Sequence, residues 1–200
     1  SVVVDEGTPQ ERTLIAARAR ELRRTPIVTG DFVDVVGDIS GAKDTLARIV
    51  RLGERSSVLR RSADDTDTTE RVVVANANQL VIVVAAANPQ PRTGFIDRAV
   101  VAAYDAGIEP ILCITKTDVS RPQQLLDYYS ASGLKIVLSG SADGRAPSES
   151  GAEGLLHAPV HKLLEELLGK VSVLLGHSGV GKSTLVNALT GADRATGHVN

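Results

Sequence analysis

The chain has 200 residues, is 42% hydrophobic and 23% charged, and carries 18 Gly and 8 Pro, a composition that excludes wholesale disorder and fits one domain or two small ones. Its longest apolar run, residues 80–87, is far too short to span a bilayer, and no secretory leader pattern opens the sequence. The single cysteine, Cys113, excludes a disulfide framework and a cysteine-rich metal site within these residues, so a protein of the cytoplasm without a membrane partner is expected. Net charge is −2, but residues 1–63 carry 11 Lys/Arg against 9 Asp/Glu and the remainder 11 against 15, a weak sign of two domains with different partners. Met is absent even at position 1, and a fragment of a longer protein is expected.

Residues 8–22 open on Thr8-Pro9-Gln10-Glu11, the form of a capping box with Pro at the first helical position. Local sequence favours a helix there, with a strand pair in an Arg-rich hairpin as the alternative. Residues 27–39 read as extended chain with a turn at Gly30-Asp31, and residues 46–50 and 58–59 as short strands. Short strands between turn signals suggest a small β-barrel or meander. The polar, acidic run 62–70 reads as a linker. The boundary is placed there, giving domains 1–62 and 63–200.

Beyond it, strand and helix alternate. Residues 71–75 and 80–86 read as strands broken by Asn76-Ala77-Asn78, and 93–106 as a helix stopped by Gly107. Residues 110–114 and 134–138 are buried-strand runs flanking a helix over 122–131, and 139–154 reads as a long mobile loop. A helix over 159–168, a strand over 171–175 and a helix over 182–189 complete the pattern. Apolar strands separated by helices imply an α/β fold with a mainly parallel sheet and helices on both faces.

Residues Gly176-His177-Ser178-Gly179-Val180-Gly181-Lys182-Ser183 match the phosphate-loop pattern GxxxxGK[ST], with Thr184 following and a strand and helix on either side. Glycines let consecutive N–H groups and the helix N-terminus face a phosphate. Lys182 would reach the β/γ-phosphates and Ser183 would ligate Mg²⁺, so these two are the candidate catalytic residues. His177 reads as a spectator within the loop. His157 and His161, four apart, form a lone pair without further metal ligands.

Thr115-Lys116-Thr117-Asp118 lies at the carboxyl end of a buried strand, where open α/β sheets bind ligands. An ionised Asp118 can accept from guanine N1–H and N2–H₂ and would repel the bare N1 lone pair of adenine. Taken alone this loop could equally be solvated, and the chain a P-loop ATPase.

Thr115–Asp118 resembles the Asn-Lys-x-Asp guanine motif of translation-factor-type GTPases, and Ser139 resembles their third base-contacting motif. Both precede the phosphate loop, an inverted order that resembles circularly permuted GTPases. Arg71 to Asn78, Ile96-Asp97-Arg98, Gly154-Leu155 and Thr196-Gly197-His198-Val199 narrow the resemblance to the ribosome small-subunit-dependent (RsgA-like) members. The resemblance implies an N-terminal OB-fold-like RNA-binding barrel, which turns residues 8–22 from helix to strand. It implies GTP hydrolysis to GDP with Mg²⁺, stimulated by the small ribosomal subunit late in its maturation, by a monomer that also contacts ribosomal RNA. Arg12, Arg18, Arg20, Arg23 and Arg24 are then the candidate RNA contacts. Switch regions, a DxxG motif and a zinc-binding domain are expected beyond Asn200; the DxxG matches at residues 34–37 and 38–41 read as turns. Thr115 stands where the family has Asn and shortens the side chain that ties the base loop to the phosphate loop. A different reading is a nucleotide-gated RNA-binding module whose hydrolysis is incidental.

Overall fold

The computed structural model describes residues 1–64, 67–140 and 159–191. The chain divides into two compact units, Ser1–Asn76 and Ala77–Asn200.

The first unit is mainly β and OB-like, with one short 3₁₀ helix at Arg20–Leu22 where strand was expected. Strand β1 (Val2–Val4) pairs antiparallel with β2 (Arg12–Leu14). Strand β3 (Ala16–Arg18) runs parallel to β5 (Ala47–Leu52), which pairs antiparallel with β4 (Val33–Gly37). Leu14, Ala47, Ile49, Leu59 and Ala75 are buried in its interior.

The local helix signal at Thr8 is a turn. The Glu11 N–H donates to Thr8 O (3.0 Å), and Glu11 Oε2 accepts from the Gly7 N–H (2.8 Å). The box residues thus satisfy a loop between β1 and β2. Nor do β2 and β3 form a hairpin together, since each pairs with a different strand. The match at residues 34–37 lies within β4, where Asp34 pairs with Arg51, whereas Asp38 does form a turn, accepting from the Ser40 N–H.

The expected linker at 62–70 is overturned as well. Strands β6 (Val58–Asp64) and β7 (Asp67–Ala75) pair antiparallel, with Ser62 opposite Glu70. Ladder bonds use backbone groups, so polar side chains do not prevent them, and Thr68 and Thr69 favour extended chain. Residues 71–75 therefore belong to this hairpin and not to the parallel sheet. The contact boundary accordingly falls after Asn76 and not at 62.

The second unit is α/β. Strands β8 (Gln79–Ala85), β9 (Glu109–Thr115), β10 (Lys135–Ser139) and β11 (Ser172–Leu175) form one parallel sheet in the order β10-β9-β8-β11. Helices are α1 (Thr93–Asp105), α2 (Gln123–Tyr129), α3 (Pro159–Leu167) and α4 (Lys182–Thr190). Every residue of β8 is buried, as a central parallel strand requires. One face sets Val81, Val83, Ile111, Cys113 and Val137 against Leu163 of α3 and Leu185 of α4. Alternation sends Leu80, Ile82, Leu112 and Ile114 to the opposite face, where α1 packs Ile96, Ala99 and Ala103. Each fully buried Leu or Ile contributes roughly 1.5–3 kcal/mol. Cys113 is part of that core, and burial pushes its thiol up to about 12, so it is an inert apolar filler.

At the amino ends of the strands, buried Gln79 donates to Glu109 Oε2 (3.1 Å) and Glu166 O (3.0 Å). Glu109 also receives Lys170 (2.8 Å) and Lys135 (3.2 Å). The Lys170, Gln79 and Lys135 bonds, in that order, hold its carboxyl down at about 2. Because the folded value is depressed, this stabilisation is present above the unfolded carboxylate range and fades as pH falls towards 2. The melting temperature of Glu109→Gln is expected to lie below that of the parent at pH 7, with the gap narrowing below about pH 4.5 and closing only near pH 2. A gap independent of pH would remove the charge from this account.

Candidate functional site

The chain winds β8, β9, β10 in one direction and then places β11 on the other side of β8. This reversal creates the crevice at the carboxyl edge where open α/β sheets take their ligands. Four segments leave that edge, residues 86–92 from β8 and three that carry candidate residues: 176–181 from β11, 116–122 from β9, and the segment after Ser139 from β10.

The first loop joins β11 to α4. Gly176 lies so close to β8 that a Cβ would sit 2.4 Å from Val83 O, so only glycine lets the loop begin there. Gly181, at φ +92°, caps α4, and Val180 is buried beneath the loop. Gly176, His177, Ser178, Gly179, Gly181, Lys182, Ser183 and Thr184 all lie on or beside the turn. Lys182 Nζ donates to Gly176 O (2.7 Å) and His177 O (2.6 Å). Burial lowers its pKa from the ordinary lysine value, a shift that a bound anion would oppose. Ser183 is exposed in the first turn of α4.

The second loop is tied directly to the first. Thr115 is buried at the end of β9, and its Oγ1 donates to Val180 O (2.5 Å), with Val84 O at 3.2 Å. The shortened side chain therefore still links the loop after β9 to the loop after β11. Lys116 adopts φ +56°, and its Nζ donates to Asn88 O in the loop after β8. Val119 and Ser120 N–H both donate to Lys116 O, closing a turn that carries Asp118, half-buried, beside Thr117.

Ser139 is buried at the end of β10, in register with Thr115. Its neighbour Gly140 was not singled out from sequence. A Cβ there would stand 2.3 Å from Thr117 Oγ1 and 2.9 Å from the Asp118 N–H nitrogen. A glycine directly after a strand that ends at this edge was the available signal. Asn88 was missed too, and nothing in its local sequence shows that Lys116 docks on it.

In the first unit the candidate arginines divide. Arg12 is held by Asp5 Oδ2 (2.5 Å) and Ile39 O (2.7 Å), so it serves the fold of β1 and β2. Arg18, Arg20, Arg23 and Arg24 are exposed, Arg18 with a bond to Thr25 O (3.3 Å). Among the described residues no group of three or more His, Cys, Asp and Glu could hold a metal ion. His161 pairs with Glu165 (3.7 Å), whereas His157 lies outside the described residues, as do Gly154, Leu155, residues 141–153 and the tail Thr196 to Val199. No described helix is long and apolar enough to cross a membrane.

The RsgA GTPase family model matches residues 52–200. The small ribosomal subunit biogenesis GTPase RsgA of Flavobacterium johnsoniae is 33% identical over 171 residues, covering 82% of this chain and 48% of that protein. The crystal structure of YjeQ from Thermotoga maritima superposes with a TM-score of 0.60 at 25% identity, covering 88% of this chain and 56% of the other. YloQ, a circularly permuted GTPase, gives a TM-score of 0.58 at 24% identity over 94% of this chain and 59% of its own, a likeness of fold. The chain spans about half the length of the curated relatives it matches.

Proposed function

The chain belongs to the RsgA GTPase family, and on that premise we propose that it binds GTP and GDP with Mg²⁺ and hydrolyses GTP to GDP. We infer further that the small ribosomal subunit stimulates this turnover late in its own maturation; the name of the Flavobacterium johnsoniae relative, a small ribosomal subunit biogenesis GTPase, supports the link to that subunit's biogenesis. The observation that carries the reading is the bond from Thr115 Oγ1 to Val180 O, which couples a loop suited to guanine to a loop suited to phosphate.

Phosphoryl transfer asks for positioning and charge neutralisation more than for covalent chemistry by the protein. Residues 176–181 and the N-terminus of α4 supply N–H donors to phosphate oxygens. Lys182 brings a cation whose carbonyl partners hold it at the loop. Ser183 fits Mg²⁺: it is an exposed hard oxygen donor beside the cradle, and this ion is commonly held by one or two protein oxygens plus phosphates and water. When bound, the ion neutralises charge developing on the phosphates. Asp118 and the backbone after Ser139 would select guanine. Zinc is not assigned to any of these residues.

The exposed Arg18, Arg20, Arg23 and Arg24 would meet ribosomal RNA phosphates, giving salt-dependent docking by a cytoplasmic monomer. The test is GTP turnover by the full-length protein with and without purified small subunits, with ATP as control. A rise of about tenfold or more with GTP alone is expected, within the range that completing a phosphoryl-transfer site achieves. Equal turnover of ATP would overturn guanine selection. No rise, with subunit affinity differing between the GTP and GDP states, would make the protein a nucleotide-gated RNA-binding module.

A further inference from the structure

The phosphate loop is held from outside as well as from within. Phe95 lies in the first turns of α1, half-buried, and its ring stands 4.4 Å from the His177 imidazole with the planes tilted by 54°. His177 is thereby fixed at two points. Its ring rests on Phe95, and its carbonyl accepts from Lys182 Nζ at 2.6 Å. An ammonium has three N–H donors. With Gly176 O and His177 O taking two of them, the positions of those carbonyls direct the third.

Gly176 O is fixed by the close approach of its residue to β8, where Val83 O leaves no room for a Cβ. His177, the next residue, holds the second carbonyl. Its side chain is exposed, and its ring contact with Phe95 joins α1 to this half of the lysine's cradle. We propose that Phe95 is a positioning residue that acts through His177 to aim the Lys182 ammonium at the phosphates of the nucleotide. His177 is then a strut between α1 and the loop and no longer a spectator. This assignment rests on the reading of residues 176–183 as a phosphate cradle.

GDP affinity in the full-length protein tests it, by titration of the parent, Phe95→Leu, Lys182→Ala and the double variant. Leucine keeps an apolar side chain against the core while removing the aromatic face, and thermal melts verify that each variant is folded. Phe95→Leu is expected to weaken GDP about three- to tenfold, the range expected of an aromatic pair. In the Lys182→Ala background the same change should have no further effect, and Phe95→Tyr should restore parental affinity. Effects that multiply across the two backgrounds would overturn the inference, as would parental affinity in Phe95→Leu. If Lys182→Ala itself leaves GDP affinity unchanged, the phosphate-loop reading fails first and takes the inference with it.

Discussion

Replacing Asp118 with alanine is expected to weaken GDP binding by about two to four orders of magnitude and to leave ADP binding within about threefold of the parent. A site built to pair with donor groups discriminates strongly because a ligand lacking them leaves the site's own polar atoms unmatched. Guanine presents N1–H and N2–H₂ to a carboxylate, whereas adenine presents a lone pair at N1. Asp118 is half-buried on a turn fixed by two N–H donors to Lys116 O, so little rearrangement is needed to meet a base. Asp118→Asn is the sharper companion. Its amide keeps one acceptor oxygen and exchanges the other for a donor, so GDP should suffer while shape is conserved. Titration of both variants with GDP and ADP reads the ratio directly. Unchanged selectivity would return this loop to ordinary solvated chain and favour a P-loop ATPase.

The second unit was legible because its physics is local. β8 and β9 are buried along nearly their whole length, so they read as unbroken apolar runs. Gly107 ends the helical pattern between them and Gly133 the one after β9, both with positive φ. The first unit resisted reading for the opposite reason. Its strands are mostly three to seven residues long, and β3 finds its partner in β5, across more than two dozen intervening residues. No local pattern carries that pairing, while Thr8 and Glu11 make the bonds of a turn from residues that also suit a helix start. The run 62–70 failed similarly: polarity reports on side chains, but the β6–β7 ladder is made by the backbone. At the site, the motif residues were readable because their chemistry is carried by type and spacing. Their supports were not. Phe95, Asn88 and Gly140 matter through what the fold brings beside them.

Gly140 shows how far such a support can govern function. Gly140→Ala is expected to weaken GDP about tenfold or more and to cost about 1–3 kcal/mol of fold stability as an overpacked position, the affinity loss being what a displacement of about 1 Å brings to a preorganised site. The added methyl would meet Thr117 Oγ1 at 2.3 Å, Thr117 N at 2.8 Å and Asp118 N at 2.9 Å. The hydroxyl can rotate away, but the two backbone nitrogens cannot yield without moving the turn that presents Asp118. Gly133 supplies the control. It has φ +71° and no atom within 4 Å of an added Cβ, so alanine there costs about 1 kcal/mol of backbone strain and touches nothing in the site. GDP titrations, with melting curves alongside, should therefore separate the two variants. Gly133→Ala should lower the melting temperature with parental affinity, and Gly140→Ala should lower both. If Gly140→Ala binds GDP as the parent does, the segment after β10 does not set the position of Asp118. Selection of the base would then rest on the β9 loop and its tie to Val180 alone.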